Sequence, residues 1–114
     1  MATDKVTHYQ ATIQAVMQAY CEAFPLDGTG LHHQQVMDPN GHHYQLLRLG
    51  WQGRKRVFRL IFHLDLIEDK IWIQEDRTEV GIANLLTERG IPHDRIVLAY
   101  FSPAHRRLTD FAVA

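Results

Sequence analysis

Apolar residues recur along the first 24 residues mostly at steps of three and four: Val6, Tyr9, Ile13, Val16, Met17, Tyr20 and Phe24. That spacing gathers them on one stripe of an α-helix and predicts a helix over residues 4–24. Asp4 is placed to cap it, and Pro25 stops it. A helix of this kind gains most of its stability from packing, so its stripe needs a flat apolar partner.

The pattern changes after Asp27-Gly28-Thr29-Gly30. Residues 31–37 read as a weak strand, and Asp38-Pro39-Asn40-Gly41 as a turn, because Pro presets φ and Asn-Gly supplies positive φ. Residues 42–51 form the next strand, and Gln52-Gly53 turns the chain back. Over residues 56–67 the alternation is clearest. Phe58, Leu60, Phe62, Leu64 and Leu66 occupy one predicted core face, while Val57, Arg59, Ile61, His63 and Asp65 occupy the other. Glu68-Asp69 leads into a strand over residues 70–74; a two-residue loop there sets Leu66 against Ile71 and Leu64 against Ile73.

A second helix is predicted over residues 78–89, with Thr78 as N-cap, Ile82, Leu85 and Leu86 as its stripe, and Gly90 just past its end. A last strand follows over residues 96–101, ended by Ser102-Pro103. The order is helix, four-stranded antiparallel meander, second helix, C-terminal strand. It predicts a single two-layer α+β domain, residues 1–114, with the helices on one face of the sheet.

Composition narrows the classes. The chain has 114 residues, 46% hydrophobic and 22% charged, which excludes a disordered tail. No apolar run approaches the ~20 residues of a membrane-spanning helix. The start does not resemble a signal peptide, so the cytosol is the expected compartment. The formal net charge of −1 lacks the basic excess of a protein built to grip duplex DNA by itself, though a local basic patch stays open. Cys21 is the single cysteine, so neither an intrachain disulfide nor a cysteine-based zinc site is available.

Several segments, taken in order, resemble the XisI family. They are His43-Tyr44-Gln45-Leu46-Leu47, Gly50-Trp51 with Gly53, Arg56-Val57, and His63 with Asp65 ahead of Lys70-Ile71-Trp72-Ile73-Gln74. Thr78-Glu79, Gly90-Ile91-Pro92, Ile96-Val97-Leu98 and the ending Thr109 with Phe111-Ala112-Val113-Ala114 continue the likeness to the last residue. The family is named for the controlling factor of excision of the fdxN element in cyanobacteria. The resemblance implies a small regulatory accessory protein, not an enzyme. It would act beside a site-specific recombinase and a second controlling factor, XisH, in programmed DNA rearrangement. It brings no catalytic residues and no cofactor. One local departure is Glu68-Asp69, where the family shows an Asn/Asp-Gly turn.

Four groups of residues carry candidate chemistry. His32-His33 and His42-His43, among eight histidines, flank the first turn and could face each other across a hairpin as metal ligands. Neighbouring strand residues point to opposite faces, however, so each pair offers at most one ligand to a face. No carboxylate motif completes a shell, and the expectation is no metal. His63 and Asp65 share a face, but i and i+2 side chains stand ~7 Å apart, long for a direct hydrogen bond. No nucleophile accompanies them, since Cys21 is on a helix and Ser102 precedes proline. A structural or interface role is favoured over an acid–base site.

Arg54, Lys55 and Arg56, with Arg48, Arg59 and Trp51 nearby, form a basic cluster with an aromatic. Such a cluster suits nucleic-acid contact, extended by Arg106 and Arg107 if the C-terminus folds back to it. The alternative is a solvated hairpin tip. Finally, Phe111 and Val113 alternate with Ala112 and Ala114 in a terminus too apolar to be free. It must dock on its own sheet or on another chain, and a homodimer or stable hetero-complex is expected. Trp51, Trp72, Tyr100, Phe111 and Val113 are the expected interface residues, with core packing as the alternative for each aromatic.

Overall fold

The computed structural model describes residues 2–38, 40 and 42–114. Its elements run α1 (Ala2–Ala23), β1 (Leu31–Asp38), β2 (His43–Gln52), β3 (Lys55–Ile67), β4 (Lys70–Asp76), α2 (Ile82–Glu88), a 3-10 turn (His93–Arg95), β5 (Ile96–Leu98) and α3 (Pro103–Arg106). The five strands lie in the order β1-β2-β3-β4-β5. The first four form an antiparallel meander, and β5 runs parallel to β4. A parallel neighbour needs a crossover, which the α2 segment supplies. The architecture is therefore the expected α+β, with α1 and α2 on one face.

Tyr9, Ile13, Val16, Met17 and Tyr20 are buried on the α1 stripe, as the spacing requires. They meet Tyr44 and Leu46 of β2, Phe62, Leu64 and Leu66 of β3, and Ile71 and Ile73 of β4 in one core that also takes Ile82 and Leu86 of α2. Phe24 lies beyond the end of the helix and is exposed. Helix α1 already includes Ala2, so Asp4 sits inside its first turn instead of capping it; the Asp4 side chain is outside the described atoms. Pro39 and Gly41 of the first predicted turn are outside the described residues.

The β3–β4 register matches the two-residue loop, with Leu66 opposite Ile71 and Leu64 opposite Ile73. Glu68 adopts φ 58 to make that turn, in the left-handed region that a residue with a Cβ enters at a cost. Gly50 has φ +140, and a Cβ there would meet the Gly30 carbonyl oxygen at 2.2 Å. The close approach of β1 to β2 at this end needs glycine.

Three expectations shift. The alternation of β3 breaks at a bulge, because Leu46 opposes Phe62 while Leu47 opposes Leu60, leaving Ile61 extra. Ile61 is buried with Phe62, and residues before the bulge change face, so Phe58 is 63% exposed instead of core. Helix α2 starts at Ile82, not at Thr78, since Gly81 (φ 84) interrupts the helix and Thr78 belongs to a loop ordered by Asp76. The Asp76 carboxylate accepts hydrogen bonds from the Thr78 N–H (2.9 Å) and hydroxyl (2.6 Å) and from the Ile82 N–H (2.8 Å). The end of α2 does follow the sequence: the Gly90 N–H bonds the Thr87 carbonyl and the Ile91 N–H the Leu86 carbonyl, a Schellman cap. Strand β5 stops at Leu98, where a Phe101 N–H to Leu98 carbonyl turn takes the chain into α3. Ser102 caps that helix through its Oγ and Pro103 opens it.

Candidate functional site: the open face of the sheet

One face of the sheet carries α1 and α2. The opposite face bears the odd residues of β2 (His43, Gln45, Leu47, Leu49, Trp51), and the β1 residues paired with them (Asp38, Val36, Gln34, His32). From β3 it takes Asp65, His63, Leu60, Phe58 and Arg56. Trp51 is 54% exposed, Phe58 63% and Val36 41%. Leu47, Leu49 and Leu60 are half-buried between them. Apolar side chains of this size on a sheet face that helices do not cover form a contiguous sticky surface. Phe58 was hidden from sequence reasoning because nothing in the local pattern marks the bulge that turns it outward.

At the other end of this face, His43 on β2 stands directly opposite Asp65 on β3. His43 Nδ1 lies 2.7 Å from Asp65 Oδ1, and His63 Nε2 lies 2.6 Å from the same oxygen. The expected separation of His63 and Asp65 is thus overturned: backbone positions two apart are distant, but the side chains lean together across the gap. Gln74 Nε2 donates to Asp65 Oδ2 at 3.1 Å. It reaches there because β4 also bulges, with His63 opposite Glu75 and Leu64 opposite Ile73, leaving Gln74 extra. Asp65 is held below its ordinary carboxylate range; burial acts the other way, but the bonds from His43 and His63 outweigh it. The His43 imidazole is pushed up, chiefly by the bond to Asp65. The three donor atoms lie within 4.8 Å of one another, a set of two nitrogens and one oxygen of the kind that holds a divalent cation. His43 was missed as the third member, since only the tertiary register puts it across from Asp65.

The histidine pairs do not meet. His33 opposes Arg48 and His32 opposes Leu49, while His43 opposes Asp38. His42 leaves the strand at φ 59 and bonds Gln10 of α1 through Nδ1 at 3.1 Å.

The basic cluster divides between faces. Arg54, Lys55 and Arg56 are exposed at the β2–β3 hairpin, and the Arg56 guanidinium lies 5.6 Å from the Trp51 ring centroid. Arg48 and Arg59, opposite one another, point to the helix side, where Arg48 bonds His33 and the Tyr20 hydroxyl. Arg106 does not join them. Its guanidinium donates to the carbonyls of Leu98, Ala99 and Val113 and covers the Trp72 ring at 5.6 Å, beyond β4 from the hairpin.

The other aromatic positions gather at the β5 edge. Tyr100 is exposed and Phe111 half-buried against the core, its ring 4.9 Å from that of His93. Val113 is exposed. The terminus docks on its own sheet: Ala112 bridges Val97, with its N–H on the Ile96 carbonyl at 2.9 Å, and Lys70 Nζ bonds the Ala114 carbonyl. Among the described residues no helix is long and apolar enough to cross a membrane.

Comparison with known proteins extends this picture. The profile of the XisI protein family matches residues 3–113. The crystal structure of a XisI-like protein from Anabaena variabilis ATCC 29413 superposes with a TM-score of 0.86 at 32% identity, covering 96% of this chain and 99% of that one. The fdxN element excision controlling factor XisI of the same organism superposes with a TM-score of 0.77 at 36% identity, again over 96% and 99%. No functionally curated protein matches the chain.

Proposed function

This chain belongs to the XisI family, and we propose from that premise that it is a non-enzymatic regulatory protein that controls a DNA-processing event by binding another protein. The event is of the kind named for its relative, excision of an fdxN-type element. The partner is a XisH-like protein, with a site-specific recombinase in the same process, and the chain self-associates as a homo-oligomer. One observation carries the reading: Trp51 and Phe58 stand exposed on a sheet face with half-buried leucines around them. Large aromatics dominate interface energetics.

The test is co-purification of the chain with a co-expressed XisH-like protein, followed by an affinity measurement on a Trp51→Ser, Phe58→Ser double variant. Both residues are exposed, so the fold tolerates the change. Affinity should fall by ~10-fold or more, the scale of a hot-spot loss. Unaltered binding by the double variant removes the open face from the reading.

A second reading has its own support. Arg54, Lys55 and Arg56 are solvent-facing and Arg56 stacks on Trp51, an arrangement suited to a nucleic-acid backbone and a base. Direct DNA contact would give a gel shift that weakens steeply with salt and disappears on replacing all three cations. Binding that ignores salt would count against it.

A further inference from the structure

We propose that His43, His63 and Asp65 form a binding site for one divalent transition cation of the zinc type, on the open sheet face. The inference stands apart from the partner reading and rests on geometry. His43 Nδ1, His63 Nε2 and Asp65 Oδ1 come from two adjacent strands and converge within 4.8 Å. A tetrahedral zinc ion, with bonds of ~2.0–2.2 Å, holds its ligand atoms ~3.4 Å apart. The present contacts of 2.7 and 2.6 Å to the shared oxygen open to that spacing by small side-chain rotations. Two imidazole nitrogens and a carboxylate oxygen are the borderline donor set that zinc accepts.

The surroundings fit the same assignment. Gln74 holds the outer carboxylate oxygen, Oδ2, and so leaves Oδ1 turned toward the two rings. A hydrogen-bonded partner behind a ligating carboxylate is the usual outer shell of a metal site. His63 and Asp65 side chains are 20% and 16% exposed, which fixes them, while His43 at 55% leaves the site reachable from solvent. Three protein ligands leave the fourth position to water.

The test is calorimetric titration of the untagged full chain with zinc chloride after treatment with a chelator. One zinc per chain is expected. His43→Gln should weaken binding by more than ~10-fold, and Gln74→Ala, which removes no ligand, by ~10-fold, as outer-shell changes do. His32→Gln, on the same face but outside the cluster, should bind as the parent chain does. His43 and Gln74 are exposed, so neither variant endangers the fold; circular dichroism verifies it. Absence of zinc binding by the parent chain, or binding that persists in a His43→Gln, His63→Gln double variant, overturns the assignment.

Discussion

His33 projects from β1 toward α1. Arg48 Nε donates to its Nε2 at 3.2 Å, the Tyr20 ring stands edge-on at 5.9 Å between centroids, and His32 adjoins it in the chain. Burial, and then the charges of Arg48 and His32, hold this imidazole below its ordinary 6.5. The unfolded chain therefore takes up the proton first. The stability that neutral His33 contributes is complete above that unfolded value and is lost as the pH falls toward the folded one. A His33→Gln variant keeps an acceptor for Arg48 but cannot titrate. Urea unfolding from about pH 7.5 to about 5.5 should show the parent chain losing stability relative to this variant. A constant difference across that range would show that His33 is not strained by charging. At this scale the sequence supplied the residue types but not their neighbours. It offered His33 as half of a metal pair, and the register paired it with an arginine.

Secondary-structure elements were the more legible level. The α1 stripe, the hairpin register of β3 with β4 and the glycine after α2 all follow from spacing and turn chemistry that act over a few residues. The misreadings come from contacts beyond that range. A bulge at Ile61 turns Val57, Arg59 and Ile61 to the helix side and leaves His63 and Asp65 outward, because the core on α1 takes both Ile61 and Phe62. Asp76, six residues before Ile82, supplies the carboxylate that organises the start of α2, a bond no capping rule over adjacent residues would find. The β3–β4 turn gives the element-scale prediction. Glu68 holds φ 58, which costs a residue with a Cβ ~1 kcal/mol or more, part of which a glycine returns through its freer unfolded chain. Glu68→Gly should raise stability by ~0.5 kcal/mol, read as a higher urea midpoint with unchanged slope. A lower midpoint would mean that the Glu68 side chain contributes more than its backbone strain costs.

In the whole molecule, the two edges of the sheet are treated differently. The β5 edge is closed by the chain's own terminus, through Ala112 on Ile96 and Arg106 on Val113. Among the described residues, the β1 edge carries no further strand. Deleting residues 111–114 should cost ~2 kcal/mol, from one backbone hydrogen bond and the partial burial of Phe111. It would also bare the β5 edge, so aggregation on heating should begin at a lower temperature. Chemical unfolding and light scattering check the two effects, and a truncated chain of parental stability would mean that the terminus is only laid against the sheet. With the terminus docked on its own chain, the proposed assembly falls to the open face, where Trp51 and Phe58 stand. The sequence expectation of an apolar tail in need of cover was sound; which surface covers it depended on where β5 lies.

The sequence by itself determined the class of fold, the order of the elements along the chain, the buried stripe of α1 and the family likeness. Each of these is written in period, turn residues and motif order, which operate along the chain. Tertiary structure alone decided which face Phe58 occupies, that Arg106 is spent on carbonyls, and that His43, His63 and Asp65 share one point in space. Those depend on bulges, on the register between neighbouring strands and on how the C-terminal segment turns back, and the free energy that selects them is the packing of the common core.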